Sequence, residues 1–174
     1  MNIKLACLSP LLILVLLNTH LSAQTFQKGD TYDLEFIPLL DGEKHYLTDV
    51  EDKIRVFNFW FIGCQGCVLE LDYLNQLRDE YMSDEVAFLS ITGNRGKDLD
   101  NFLIDHPIQW EIIGNVAMVE RFTDYPTFNP RCYPTTMIVD RNDSVVYAKC
   151  YPLTNEKDSQ EFREAIEAAL ALRQ

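Results

Sequence analysis

Residues Val56 to Leu77 read VFNFWFIGCQGCVLELDYLNQL. The first part, Val56 to Ile62, is a short apolar run, rich in aromatics and closed by Gly63, which favours a strand buried on both faces over a segment of helix. After Cys67 the period changes. Val68, Leu71, Leu74, Leu77 and Tyr81 recur at three- and four-residue steps, while Asp72, Asn75, Gln76, Asp79 and Glu80 fall on the other side, so the spacing predicts a helix with one packed and one wet face. Cys64 and Cys67 therefore stand where a strand becomes a helix.

That position has chemical consequences, because the first turn of a helix presents unpaired backbone N–H groups and the positive end of the macrodipole. A free cysteine titrates near ~8.5, and a helix N-terminus or a Cys-X-X-Cys arrangement brings this down to roughly 3.5 to 7.5. Cys64 is accordingly the attacking thiol. Cys67 lies one helical turn on, so its sulfur can fold back onto a mixed disulfide formed at Cys64. The same two residues could form a static disulfide or half of a zinc site. Zinc needs about four ligands, and His45 and His106, the histidines beyond the N-terminal segment, belong to no second paired motif. A Cys-X-X-Cys pair between strand and helix points to redox chemistry instead.

Length and composition bound the rest. The 174 residues suit one domain with a sizeable core. A net charge of -12 argues against nucleic acid as a partner and against an acidic membrane surface bound through a basic patch. The acidic residues are dispersed, as on a soluble surface, and no cofactor or metal is implied. Residues 1–23 read as a secretory signal: Lys4 is the only charge, Leu5 to Leu17 is apolar, and Asn18, Thr19 and His20 form a polar end before Leu21, Ser22 and Ala23. The apolar stretch falls short of the ~20 residues of a membrane span, which favours cleavage after Ala23 and a mature domain, 24–174, without a stable span. Most of the apolar stretch follows Cys7, whereas lipid attachment needs it before the cysteine. What remains is Cys64, Cys67, Cys132 and Cys150, and an even number in an exported chain admits disulfides.

Along the mature chain, Asp41-Gly42 separates two short extended pieces, Leu34 to Leu40 and His45 to Leu47, and predicts a turn between them. Val86 to Thr92 is a second buried strand, so strand, helix and strand imply a right-handed crossover and a parallel pair. Leu99, Phe102 and Leu103 mark a short helix stopped before Pro107, Trp110 to Ile113 an extended piece, and Val116, Met118, Val119 and Phe122 another short helix. Thr123 to Pro134 is a proline-rich loop. Thr135 to Val139 and Val145 to Tyr147 read as an antiparallel hairpin, and Phe162, Ala165, Ile166, Ala169 and Leu170 share one face of a final helix.

With Asn58-Phe59-Trp60 before Cys64-Gln65-Gly66-Cys67, and Tyr133-Pro134-Thr135-Thr136 leading into Met137-Ile138-Val139-Asp140, the chain resembles the thioredoxin superfamily and, within it, exported TlpA-like thiol-disulfide oxidoreductases. The resemblance covers nearly all of the mature chain. It implies an α/β thioredoxin-like fold, a central mixed β-sheet with helices on both faces, preceded here by an N-terminal extended or hairpin extension. It further implies Cys64 as attacking and Cys67 as resolving thiol, Pro134 as a cis-proline facing the site, and Tyr133, Pro134 and Thr135 as the place where an extended substrate strand pairs. Glu70 matches a glutamate of some TlpA-like reductases and could accept the proton of Cys67, or it could be a solvated helix residue.

Two departures stand out. Gly63 replaces the tryptophan that many relatives carry before the first cysteine, which removes a flat wall from the site. Gln65-Gly66 supplies no cation to the thiolate, and Gly66 costs helix stability in the first turn.

Cys132 and Cys150 leave three readings open: a structural disulfide, a third redox thiol at Cys132, or two separate thiols. Counting back across the Asn142-Asp143 turn sets Cys150 opposite Thr135 or Thr136, so a bridge needs the chain to bend at Pro134 to bring the Cα atoms within about 7 Å. The expected function is disulfide exchange with cysteines of other exported proteins in the periplasm or another extracytoplasmic space, as a reductase fed by a membrane-bound electron donor. A peroxide-reducing enzyme on the same fold would want a threonine three residues before a motif cysteine; the other alternative is a non-catalytic binding module or a copper carrier, and copper would want a histidine, such as His106, beside the two thiolates.

Overall fold

A computed structural model of the protein describes residues 26–116, 130 and 132–172. Along the chain run β1 (Phe36–Pro38), β2 (Lys44–Tyr46), β3 (Ile54–Trp60), α1 (Gln65–Tyr81), β4 (Val86–Thr92), α2 (Gly96–Asp105), β5 (Glu111–Ile113), β6 (Thr135–Val139), β7 (Val145–Lys149) and α3 (Glu156–Ala171). The unalternating run at the centre of the sequence becomes β3, buried at every position. It can be so because it has a strand on each side: β4 pairs with it in parallel and β6 antiparallel. The mixed sheet has the order β5-β4-β3-β6-β7, and the expected strand-helix-strand unit is β3-α1-β4.

Alternation along the strands sends side chains to two cores. Val56, Phe88 and Ile138 face Leu74 and Leu77 of α1 and Phe162 and Ile166 of α3. Phe57, Phe59, Leu89 and Met137 face the other way and are covered by Tyr32, Ile37 and Leu47 of the N-terminal extension. In that extension β1 and β2 form the expected hairpin, with Gly42 at φ 91° in its turn. Arg55 is the one charged side chain inside β3. It is 2% exposed, and its guanidinium donates to the Asp140 carbonyl at 3.0 Å and to the Asp143 carboxylate, both in the β6–β7 turn.

The hairpin of β6 and β7 runs to Lys149, two residues beyond the expected end, with a register irregularity at Ile138 and Val139. Thr136 pairs with Lys149, which leaves Cys150 level with Thr135, one of the two positions the residue count allowed. The leader expected over residues 1–23 lies outside the described residues. So does the short helix expected at Met118 to Phe122, and most of the loop after it; Val116 itself bridges to Leu39.

Candidate active site

The turn from β3 into α1 is set by Gly63, whose φ of 96° is a conformation that side-chain-bearing residues adopt only with strain. Its role is thus conformational as well as the removal of a wall. Just before it, the Ile62 N–H donates to Asn94 Oδ1 at 2.8 Å, tying the turn to the end of β4. Cys64 then caps the helix: its backbone is extended, at φ −78° and ψ 100°, and its sulfur accepts the Cys67 N–H at 3.1 Å. No acidic residue occupies the first turn, so the helix terminus acts on the sulfur unopposed. Cys64 and Cys67 are joined in a disulfide, with Cα atoms 5.3 Å apart. Cys64 keeps 7% of its surface exposed against 3% for Cys67, so the outer position belongs to the residue at the cap.

Aromatic residues frame the pair. Trp60 packs beside both cysteines, stacks on Phe102 of α2 with ring centres 5.0 Å apart, and donates from Nε1 to Ser90 Oγ at 2.6 Å. Phe61, 43% exposed, meets Tyr133 edge-on at 5.3 Å. The Tyr133–Pro134 peptide bond is cis, as the resemblance implied. Pro134 lies against α1 at Gly66, where an added Cβ would come within 3.2 Å of the proline ring and 3.4 Å of Pro152. The helix-weakening glycine is therefore what lets both prolines approach. Thr135 is buried in β6 opposite Phe59, and its hydroxyl donates to the Cys132 carbonyl at 2.8 Å, closing the loop from inside.

Glu70 is buried, 1% exposed, one turn beyond Cys67 on α1, and the reading of it as a solvated residue is corrected here: the helix turns it into the sheet. Oε1 accepts from Asn58 Nδ2 at 2.8 Å, and Oε2 accepts from the Leu153 N–H at 3.1 Å. Asn58 also donates to Thr136 Oγ1 at 3.1 Å, which fixes its amide. Burial pushes the Glu70 carboxyl up to about 7, and the two hydrogen bonds, which favour the ionised form, only partly oppose it. A carboxyl poised there can take or give a proton at neutral pH.

Asn58 and the Leu153 amide were missed as site groups. A single amide side chain inside the run Val-Phe-Asn-Phe-Trp was the available signal for Asn58, whereas nothing in the sequence pointed to a backbone N–H more than eighty residues away. Cys132 and Cys150 are joined as a second disulfide, Cα atoms 5.8 Å apart, both half-buried. Among the described residues no group of three or more His, Cys, Asp or Glu side chains could hold a metal ion; His106 meets Phe102 at a tilt of 41°, ring centres 4.7 Å apart, at the end of α2.

Comparison with known proteins agrees with this geometry. The family model described as AhpC/TSA family matches residues 29–148. The chain is 27% identical over 107 residues to the thiol-disulfide oxidoreductase ResA of Geobacillus thermodenitrificans, covering 61% of this chain and 59% of that protein. To the ResA of Bacillus cereus it is 25% identical, covering 62% and 60%. The chain thus spans about three fifths of the length of these relatives. Among solved structures, a thiol:disulfide interchange protein of the DsbE type from Chlorobium tepidum superposes with a TM-score of 0.65 at 20% identity, over 84% of this chain and 99% of that one. The thioredoxin domain of a Bacteroides vulgatus thiol-disulfide oxidoreductase gives 0.62 at 16%, over 82% and 99%. These likenesses show a thioredoxin-like fold.

Proposed function

Because the chain belongs to the AhpC/TSA family and carries its cysteine pair at the start of a helix on a thioredoxin-like fold, we propose that it is a thiol-disulfide oxidoreductase that reduces disulfides of exported proteins outside the cytoplasm. The observation that carries this is the sulfur of Cys64 accepting the Cys67 N–H at the helix cap. The Cys64 thiolate attacks a target disulfide, forms a mixed disulfide and releases one target thiolate. Cys67 gives its proton to Glu70, attacks Cys64 Sγ and releases the second target thiolate. The target gains two electrons, and the pair ends as the Cys64–Cys67 disulfide. A dithiol donor at the membrane then returns the pair to the reduced form. Tyr133, against Phe61, and Pro134, beside Gly66, supply the edge along which an extended target segment lies. Placement outside the cytoplasm rests on the signal-like residues 1–23; among the described residues no helix is long and apolar enough to cross a membrane.

Trapping tests the reading. In a Cys67→Ser variant the mixed disulfide on Cys64 cannot be resolved, so exported proteins should accumulate on it in cells and be released by a thiol reductant. A trap that stays empty at Cys64 would overturn it. The peroxide-reducing alternative has no threonine in place, since Phe61 stands three residues before Cys64 and Cys64 three before Cys67. The reduced protein should accordingly consume peroxide no faster than an unstructured dithiol.

A further inference from the structure

Two segments reach the cysteine-bearing helix from outside it. One is the loop before β6, where Pro134 lies against Gly66 and Tyr133 against Phe61. The other is the connector between β7 and α3, where Pro152 also meets Gly66 and the Leu153 N–H donates to Glu70 Oε2. Cys132 and Cys150 stand at the roots of these segments, each two residues before the proline that touches Gly66, and a disulfide joins them. We propose that the Cys132–Cys150 disulfide is a positioning element of the exchange site, holding the 150–153 run against α1 so that the Leu153 amide stays on Glu70. The inference rests on the role given to Glu70 and deepens it, since a bond away from the reacting sulfurs sets how ready the proton acceptor is.

The connector has no regular structure of its own. β7 ends at Lys149 and α3 begins at Glu156, so residues 150–155 belong to neither a strand nor a helix. At its far end the Asn155 side chain caps α3, accepting from the Asp158 N–H at 3.1 Å. At its near end the disulfide passes to Cys132, whose carbonyl accepts the Thr135 hydroxyl and whose loop runs into β6, paired with β3. A cross-link spanning eighteen residues removes open conformations that a connector of this kind would otherwise sample.

The groups bonded to Glu70 are Asn58 from β3 and the Leu153 N–H from the connector, and Cys67 stands one turn back on the same helix. Among the described residues no charged side chain acts on it, so the two hydrogen bonds are what favour its ionised form. Freeing the connector removes one of them. The carboxyl then keeps its proton to higher pH, and Cys67 loses its acceptor at neutrality.

Carboxyl NMR of Glu70, with Cys64–Cys67 oxidised, reads this directly. In Cys132→Ala/Cys150→Ala the midpoint should rise by about one unit above the parent value, as loss of a hydrogen bond to a charged group would give, and the Leu153 amide should exchange faster with solvent. An unchanged midpoint and an equally protected Leu153 amide would overturn the proposal. Should that variant fail to fold, Cys64→Ala/Cys67→Ala compared before and after reduction of its Cys132–Cys150 bond by dithiothreitol makes the same comparison on one sequence, with the same two outcomes. The role of Glu70 is separately decided by Glu70→Gln: if that variant resolves mixed disulfides at the parent rate while the midpoint still moves with the bond, the positioning stands and the proton-acceptor role falls.

Discussion

Glu70 on α1 and Asp158 on α3 are buried carboxylates, 1% and 5% exposed, on helices packed over the same face of the sheet, but different donors meet them. Glu70 is held by an asparagine amide and a backbone N–H, both neutral. Asp158 is held by Lys149 Nζ, with Asn155 Nδ2 on its other oxygen at 2.7 Å. Lys149 also donates to Glu161 at 2.8 Å; burial works against its charge, but the two carboxylates outweigh it and hold the ammonium above its ordinary range. A cation beside one carboxylate makes a fixed joint between β7 and α3. Neutral donors beside the other leave its charge costly, so it exchanges protons near pH 7. The helix that carries the cysteines has the labile carboxylate.

The contrast can be broken in several places. The largest effect expected is that of Lys149→Met, which strands Asp158 without a cation: stability should fall by about 3 to 5 kcal/mol in urea unfolding, while the pH profile of disulfide exchange stays that of the parent. A loss under about 1 kcal/mol would mean that the pair is solvated and the contrast false.

Next comes the pH dependence of stability. The Glu70 carboxyl sits near 7 in the folded chain against its ordinary 4.5, so the folded state binds the proton more tightly than the unfolded one. Its contribution is therefore fully present below pH 4.5 and lost as the pH climbs through 7, about 3 kcal/mol in all. Unfolding midpoints measured between pH 4.5 and 8 should show this decline in the parent, and Glu70→Gln should lack it. The same substitution should slow resolution of a mixed disulfide on Cys64 by about 100-fold at pH 7, the size of a lost proton acceptor, with the first attack by Cys64 much less affected; stopped-flow single-turnover traces separate the two steps. The smallest effect sharpens the geometry of the turn. Gly63→Ala meets no atom within 4 Å yet sits at φ 96°, so backbone strain alone should cost about 1 to 2 kcal/mol in thermal or urea unfolding.

The part of this arrangement that sequence could reveal is the part carried by local pattern. An apolar run, a glycine, two cysteines and a change of period were enough for β3, the turn and α1, because burial on both faces and amphipathic spacing are written in neighbouring residues. Pro134 could be placed as cis only through resemblance. The orientation of Glu70 was beyond local pattern, since a residue flanking the apolar stripe of a helix turns inward only if a tertiary partner awaits it, and the partners are Asn58 on a strand and an amide beyond β7. Cys132 and Cys150 were undecidable for the same reason: the hairpin register set them near each other, but the bend at Pro134 that brings their Cα atoms to 5.8 Å belongs to the packed loop.

The central claim is that the helix cap makes Cys64 an acidic thiol. Alkylation of the reduced protein by iodoacetamide, followed against pH with the modified cysteine identified by mass, measures its titration. The midpoint for Cys64 should fall below about 7.5, within the range of cysteines at helix N-termini. A midpoint at or above the free-cysteine value of about 8.5, or a Cys64 that alkylates more slowly than Cys67, would contradict it.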